Sequence, residues 1–185
     1  INQVLQIDLA FIDKVPLCHM VDAHSRCSAG RALPDETGKS VVDSVFRDWI
    51  RWNGPPKQII ADCGAEFLNK DFNALCDAYG IKLLTVPTKA HWGHGLVERH
   101  HRVVTSTCDR MRALHPRHDL DMLWRMSIHA KNCLHNNKGY SPFQIHRGRN
   151  PDLPTLRDLS TFPATVQPQA KNVKVLYDAR RAFLK

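Results

Sequence analysis

Residues 3–12 alternate apolar and polar side chains up to Asp13, the two-residue period of a half-buried strand. LCHMVDA (17–23) and CSAGRAL (27–33) continue the strand pattern, with turns marked at Pro16 and at His24-Ser25-Arg26. The chain therefore opens as an antiparallel meander of three strands. The period then lengthens. Val42, Val45, Phe46 and Trp49 recur at helical spacing behind Thr37-Gly38, which predicts a helix over 38–52, closed by Asn53-Gly54-Pro55-Pro56. KQIIAD (57–62) reads as a short buried strand. Phe72, Leu75, Cys76 and Tyr79 predict a second helix, capped by Asn69 and ended by Gly80. IKLLTV (81–86) is a fifth strand, Pro87 to Gly95 a loop, and helices are expected over 95–114 and 119–136. Further on, a short helix is expected at 141–147 and a loop at 155–168. A terminal helix within 170–185, with Val173, Leu176 and Ala179/Arg180 on one side, is expected to pack weakly or to lead into further chain.

The order β-β-β-α-β-α-β-α-α implies a mixed sheet with helices on its faces. Pattern alone admits several such α/β arrangements, the ribonuclease H-like one among them. A chain of 185 residues with 43% hydrophobic content suits one domain with a tail. It begins Ile-Asn-Gln, without Met or a signal sequence, and is expected to be a piece of a longer protein. Its apolar runs fall far short of the ~20 residues of a membrane span. A net charge of +8 and a pI near 9.4 point to a polyanionic partner, most simply nucleic acid. Many ribosomal proteins and ordinary enzymes are also basic, so charge alone decides nothing. The six cysteines lack C-x-x-C spacing and read as reduced, packed thiols rather than as a zinc knuckle or redox pair.

Three acids stand out by position. Asp8 lies in mid-strand, Asp62 ends the fourth strand, and Glu98 sits in the first turn of the helix after the loop. If the first and fourth strands are neighbours, Asp8 and Asp62 come side by side, and Glu98 completes a carboxylate cluster. Such a cluster repels itself unless cations sit within it. Hard oxygen donors select Mg2+ or Mn2+, and a pair of such ions serves phosphoryl transfer. Plainer readings stand beside this. Asp62 alone suits a turn or cap, Asp22 the turn at Ser25-Arg26, Asp13 a loop, and Glu66 an exposed site or the rim of the cluster. On the helix 95–114, Val97, Val104, Cys108 and Met111 form an apolar stripe, with Glu98, Arg102, Thr105 and Asp109 beside it. Glu98 and Arg102 are spaced for a surface ion pair in the absence of metal, or for metal and phosphate respectively. His91, His94, His100 and His101 raise zinc, but no Cys pair accompanies them. Trp49, Trp52 and Trp124 read as core or interface, His129 and Cys133 as packed.

The spacing is specific: 53 residues lie between Asp8 and Asp62, and 35 between Asp62 and Glu98. It resembles the D-D-35-E pattern of retroviral and retrotransposon integrases. LQIDLAF (5–11) resembles that family's first catalytic strand, and MVDAHSR (20–26) its second strand with D-x-x-S-R. IIADCGAEF (59–67) is similar to I-x-x-D-N-G-x-E-F. AHWGHGLVERHHR (90–102) resembles the loop and helix that commonly end N-G-x-x-E-R-x-N-R. GYSPFQIHRGRNPDLP (139–154) is similar to the G-x-S-P block of long-terminal-repeat elements, the gypsy type in particular. The five blocks occur in order across residues 3–154. Three departures stand out: Cys63, His94 and His101 each replace a usual Asn.

The resemblance implies a ribonuclease H-like catalytic core over 1–150, with a five-stranded mixed sheet flanked by helices, and an extension over 151–185 bearing a terminal helix. It implies metal-dependent DNA 3′-end processing and strand transfer, with Asp8, Asp62 and Glu98 as catalytic residues and ligands of two Mg2+ or Mn2+ ions. Lys89, His91, Trp92, His94, Arg99 and Arg102 would contact DNA. Partners would be element ends, target duplex and further copies of the chain, meeting through helices 38–52 and 119–136. The place of action would be the nucleus after a cytoplasmic stage. A host-adopted relic that binds DNA or protein without catalysis is the alternative, as the three departures leave open. A ribonuclease H or a cut-and-paste transposase fits the 35-residue gap and the GYSPF block less well.

Overall fold

Five strands form one mixed sheet: β1 (Val4–Ile12), β2 (Val15–Asp22), β3 (Ser28–Ala32), β4 (Gln58–Asp62) and β5 (Lys82–Val86), in the order β3-β2-β1-β4-β5. This computed structural model describes residues 1–87, 91–151, 175 and 178–184, except for the side chains of 91–94. The first three strands are the expected antiparallel meander, and β1-β4 and β4-β5 pair in parallel. The first turn is not at Pro16, as the sequence reading had it. Asp13 and Lys14, with φ of 50° and 66°, make a two-residue turn that joins Ile12 to Val15. Both central residues of such a turn need positive φ to match the twist of the strands. Pro16 lies inside β2, opposite Phe11. On β3, Gly30 has a φ of 153°, and a Cβ there would collide with the Cys18 carbonyl.

Alternation along β1 sorts the sheet into two faces. Leu5 and Ile7 are fully buried in a core with Val41, Val45, Trp49, Phe72 and Cys76. These come from α1 (Gly38–Ser44), from the π-helical turns Val45–Ile50 that continue it into α2 (Arg51–Asn53), and from α3 (Lys70–Tyr79). Trp49 donates its indole N–H to Asn2 Oδ1 at 2.8 Å, and Asn2 Nδ2 donates to the Asn53 carbonyl at 2.9 Å, so the helix end is tied to the sheet. Arg31 of β3 binds the Asp48 carboxylate through two nitrogens. Gln6 and Asp8 point to the opposite face. The caps read from sequence are present: Asn69 Oδ1 accepts the Phe72 N–H at 2.9 Å, and Gly80 closes α3 with a φ of 63°.

Asp22 serves its turn as expected. Its Oδ2 accepts the Ser25 N–H and hydroxyl, both at 2.7 Å, and its Oδ1 accepts the Asn2 N–H at 2.8 Å. Burial pushes the Asp22 carboxyl up, but the Ser25 and Asn2 donors outweigh it and hold the pKa below its usual value. A carboxylate held low stabilises the fold above its unfolded pKa, and that contribution is lost as pH falls through the folded one. Asp22→Ala is expected to cost about 1–3 kcal/mol at neutral pH. In urea titrations across the acid range the gap to the wild type should shrink. A pH-independent gap would mean that the carboxylate charge contributes nothing.

The chain divides into two compact units, Ile1–Arg102 and Val103–Lys185, and the expected boundary at 150/151 falls within the second. Helix α4 (His91–Leu114) starts four residues earlier than expected, with 91–94 already helical. Gly93 and Gly95 read as loop formers, yet each costs a helix only about 1 kcal/mol, which a long cooperative helix offsets. In the second unit α5 (Leu120–Leu134) buries Trp124, Leu123 and Ile128 and is capped by Asp119. In α6 (Pro142–Arg147), Ser141 and Gln144 form a capping box, Pro142 opens the helix, and Gly148 ends it with a φ of 68°. The S-P block of the sequence thus has a local structural role. Residues 178–184 are helical but do not pack weakly: Val175, Ala179 and Ala182 are buried, spaced at i, i+4 and i+7. His115 Nε2 meets Asp178 Oδ2 at 3.0 Å, and Arg110 donates to the Ala182 carbonyl. Ala179 lies on the buried side as expected, while Val173 and Leu176 are outside the described residues. The expected loop at 155–168 also lies outside them. No described helix is long and apolar enough to cross a membrane.

Candidate active site

The parallel pairing of β1 and β4 runs Val4↔Gln58, Leu5↔Ile59, Gln6↔Ile60. Carried two residues further, the same register sets Asp8 level with Asp62. Both are half-buried, at the point where the two strands stop pairing. Asp62 also does the plain work of a turn, since its Oδ1 accepts the Gly64 N–H at 3.1 Å. The next residue, Cys63, is exposed, and its thiol donates weakly to the Val86 carbonyl at 3.6 Å, linking the tips of β4 and β5. The Glu66 carboxylate folds back into the space that a Cβ on Gly64 would fill, so Glu66 reaches the turn that follows Asp62.

Helix α4 is fixed over the polar face of β1 at two points. Gln6 Oε1 accepts the Val97 N–H at 3.1 Å, and His101 Nδ1 lies 3.2 Å from Asp8 Oδ2. Val97 is fully buried on the same turn, while Glu98 is exposed. Glu98 and His101 are three residues apart and so are neighbours on the helix surface. The turn bearing Glu98 is therefore anchored to the face that carries Asp8. The three carboxylates are not closed into one group: among the described residues, no three His, Cys, Asp or Glu side chains are gathered to hold a metal. The donor set itself fits a hard divalent cation. Each carboxylate oxygen has two lone pairs, and the bonds above use no more than one on any oxygen of Asp8 or Asp62.

The expected Glu98–Arg102 ion pair is not among those formed by the described side chains. Both residues are exposed, and such a pair gains only about 0.3–0.5 kcal/mol against the entropy of holding two long side chains. Arg99 and Arg102 present their charges to solvent on this part of α4. Lys89 and the side chains of His91, Trp92 and His94 lie outside the described residues. His100 and His101 are both buried rather than displayed as ligands. None of the six cysteines forms a disulfide; burial pushes the Cys18 thiol up to about 12 and those of Cys76 and Cys108 up to about 11, which keeps these three protonated.

One member of the site went unread in the sequence. His19 pairs across the hairpin with Asp8, is fully buried, and stacks on His101 with ring centroids 4.7 Å apart. The signal was present. Placing the two-residue turn at Asp13-Lys14 fixes the register that sets His19 opposite Asp8, whereas a turn at Pro16 does not.

Residues 1–89 match the family described as integrase core domain, a span that includes Asp8 and Asp62 and stops short of Glu98. The retrovirus-related Pol polyprotein of transposon 412 from Drosophila melanogaster is 29% identical over 126 residues, 66% of this chain. The chain spans about a tenth of the length of that relative. The catalytic core domain of human T-cell leukemia virus 2 integrase, solved in complex with magnesium, superimposes with a TM-score of 0.67 at 26% identity, covering 78% of this chain and 96% of that one. A simian T-cell lymphotropic virus intasome, solved in complex with a PP2A regulatory subunit, gives a TM-score of 0.72 at 21% identity, covering 83% of this chain and 56% of that one. Residues 1–89 thus resemble the integrase core domain family, and the five-stranded mixed sheet with flanking helices is the ribonuclease H-like fold of retroviral integrase catalytic cores.

Proposed function

We propose that this chain is the catalytic core of a DNA integrase from a retroelement, carrying out 3′-end processing and strand transfer with Asp8, Asp62 and Glu98 as its metal ligands. The observation that carries this reading is the β1-β4 register, which brings Asp8 level with Asp62 while Gln6 and His101 hold the Glu98 turn of α4 to the same face. Two Mg2+ or Mn2+ ions, when bound there, would supply activation of the attacking oxygen and charge neutralisation at the phosphodiester. The residues of the chain do the rest. The sheet fixes one carboxylate within β1 and one at the end of β4, and α4 offers the third from an exposed turn. Arg99 and Arg102, on the same turns, suit DNA phosphates, which position a duplex without reading its sequence. Lys89, His91, Trp92 and His94 are proposed to clamp the DNA end. In this reading the chain works as a homodimer or larger assembly on element ends and target DNA, in the nucleus after a cytoplasmic stage.

The second reading, a host-adopted domain that binds without catalysis, draws on two observations: the three acids are not gathered, and Asp8 is already engaged by His101. Mn2+ titration followed by strand transfer on a branched DNA separates the two. The integrase reading expects saturable Mn2+ binding and metal-dependent resolution of the branch, both lost in Asp62→Asn. Absence of both in the wild-type chain would favour the relic.

A further inference from the structure

A buried imidazole stack is built beside Asp8. Asp8 Oδ1 accepts the Leu9 N–H at 2.9 Å, and Oδ2 faces His101 Nδ1 at 3.2 Å. His101 is 8% exposed, and His19, fully buried on β2, lies against its ring at 4.7 Å with the planes 38° apart. His19 is held by the sheet, since it pairs with Asp8 on one side and Gly30 on the other. His101 is thus wedged between a strand and a carboxylate, and its ring cannot swing away without opening the packing under α4.

We propose that His101, braced by His19, is a positioning residue for Asp8: it holds Oδ2 while the Leu9 N–H holds Oδ1, so that the carboxylate is fixed in place before a divalent cation arrives. The inference rests on the reading of Asp8 as a metal ligand. A carboxylate that must be ordered as it binds loses affinity to that ordering, and hydrogen-bonded partners behind a ligand remove the cost. With the Nδ1 proton on His101, the ring donates to Asp8 as an Asn amide would at the same place. His101 then keeps the donor function of the Asn usual at this position, and adds a rigid ring that needs a brace. His19 supplies it.

The test is Mn2+ affinity of the whole chain, read from free Mn2+ by electron paramagnetic resonance, with melting temperature measured in parallel. His101→Leu fills the buried space without a donor and is expected to weaken Mn2+ binding by about 10–100-fold. His101→Asn restores a donor and should recover most of that loss. His19→Leu leaves the donor but removes the brace and should weaken binding by a smaller factor; it also serves if His101→Leu does not fold. Wild-type affinity in the foldable leucine variants, with binding lost in Asp8→Asn and Asp62→Asn, overturns the positioning role and leaves the metal site standing. Wild-type affinity in Asp8→Asn and Asp62→Asn overturns the metal site itself, and the positioning role with it.

Discussion

Glu98→Gln is expected to abolish strand transfer, by roughly a thousandfold or more, while leaving the fold intact. The order of the loss follows from removing a charge that acts on the transition state in a site where such charges dominate. The substitution keeps the size and hydrogen-bonding reach of the side chain and removes only its negative charge. Structural cost is small because Glu98 is exposed and takes no part in the ion pairs of the described side chains. Exposed positions of this kind usually change stability by no more than about 0.5 kcal/mol. The measurement is strand transfer on a branched DNA in Mn2+, with circular dichroism alongside. Activity retained by a variant with an unchanged spectrum would mean that Glu98 is misassigned, with Glu66 the next acid to test because it reaches the turn after Asp62.

Trp49→Ala should be the most destabilising single change in the first unit, at about 3–5 kcal/mol. Trp49 is 1% exposed, belongs to the same core cluster as Leu5 and Ile7, and sits on the π-helical turns between α1 and α2. Its indole N–H also satisfies Asn2 Oδ1, and Asn2 in turn donates its backbone N–H to Asp22. The alanine variant therefore leaves a cavity and loosens the tie between helix and sheet together. Trp49→Phe separates the two effects: it keeps most of the apolar volume and loses the hydrogen bond, for an expected cost of about 1–3 kcal/mol. Urea unfolding followed by circular dichroism reads both. Equal costs for the two variants would mean that volume contributes little and that the bond to Asn2 carries the effect.

The sheet was legible because its period is unambiguous. VLQIDLAFI alternates, and the switch to helical spacing at Val42, Val45 and Trp49 marks where the meander ends. Helix ends were legible wherever a cap residue stood in place, as at Asn69, Gly80 and Asp119. The start of α4 was not. Glycines at 93 and 95 outvoted the helix in a local reading, and only the continuous helix that follows shows that the chain absorbs them. Pro16 misled for a similar reason: proline is a strong turn signal, yet the turn conformation was carried by Asp13 and Lys14, whose positive φ values leave no mark in hydrophobicity. Within the site, Asp8 and Asp62 could be picked out because each breaks an apolar strand at a matching position. The His19–His101 stack could not, because it depends on cross-strand register and on which face of α4 meets β1. Both are properties of packing rather than of spacing.

Asp8 and Asp62 are proposed to share a divalent cation on one face of the sheet. Crystals of the chain soaked in Mn2+ test it directly, since anomalous scattering locates the ion without reference to activity. The expected result is a manganese peak with oxygens of both Asp8 and Asp62 within about 2.0–2.3 Å, and Glu98 turned toward it. Manganese bound elsewhere, or the two aspartates too far apart to share it, would contradict the claim.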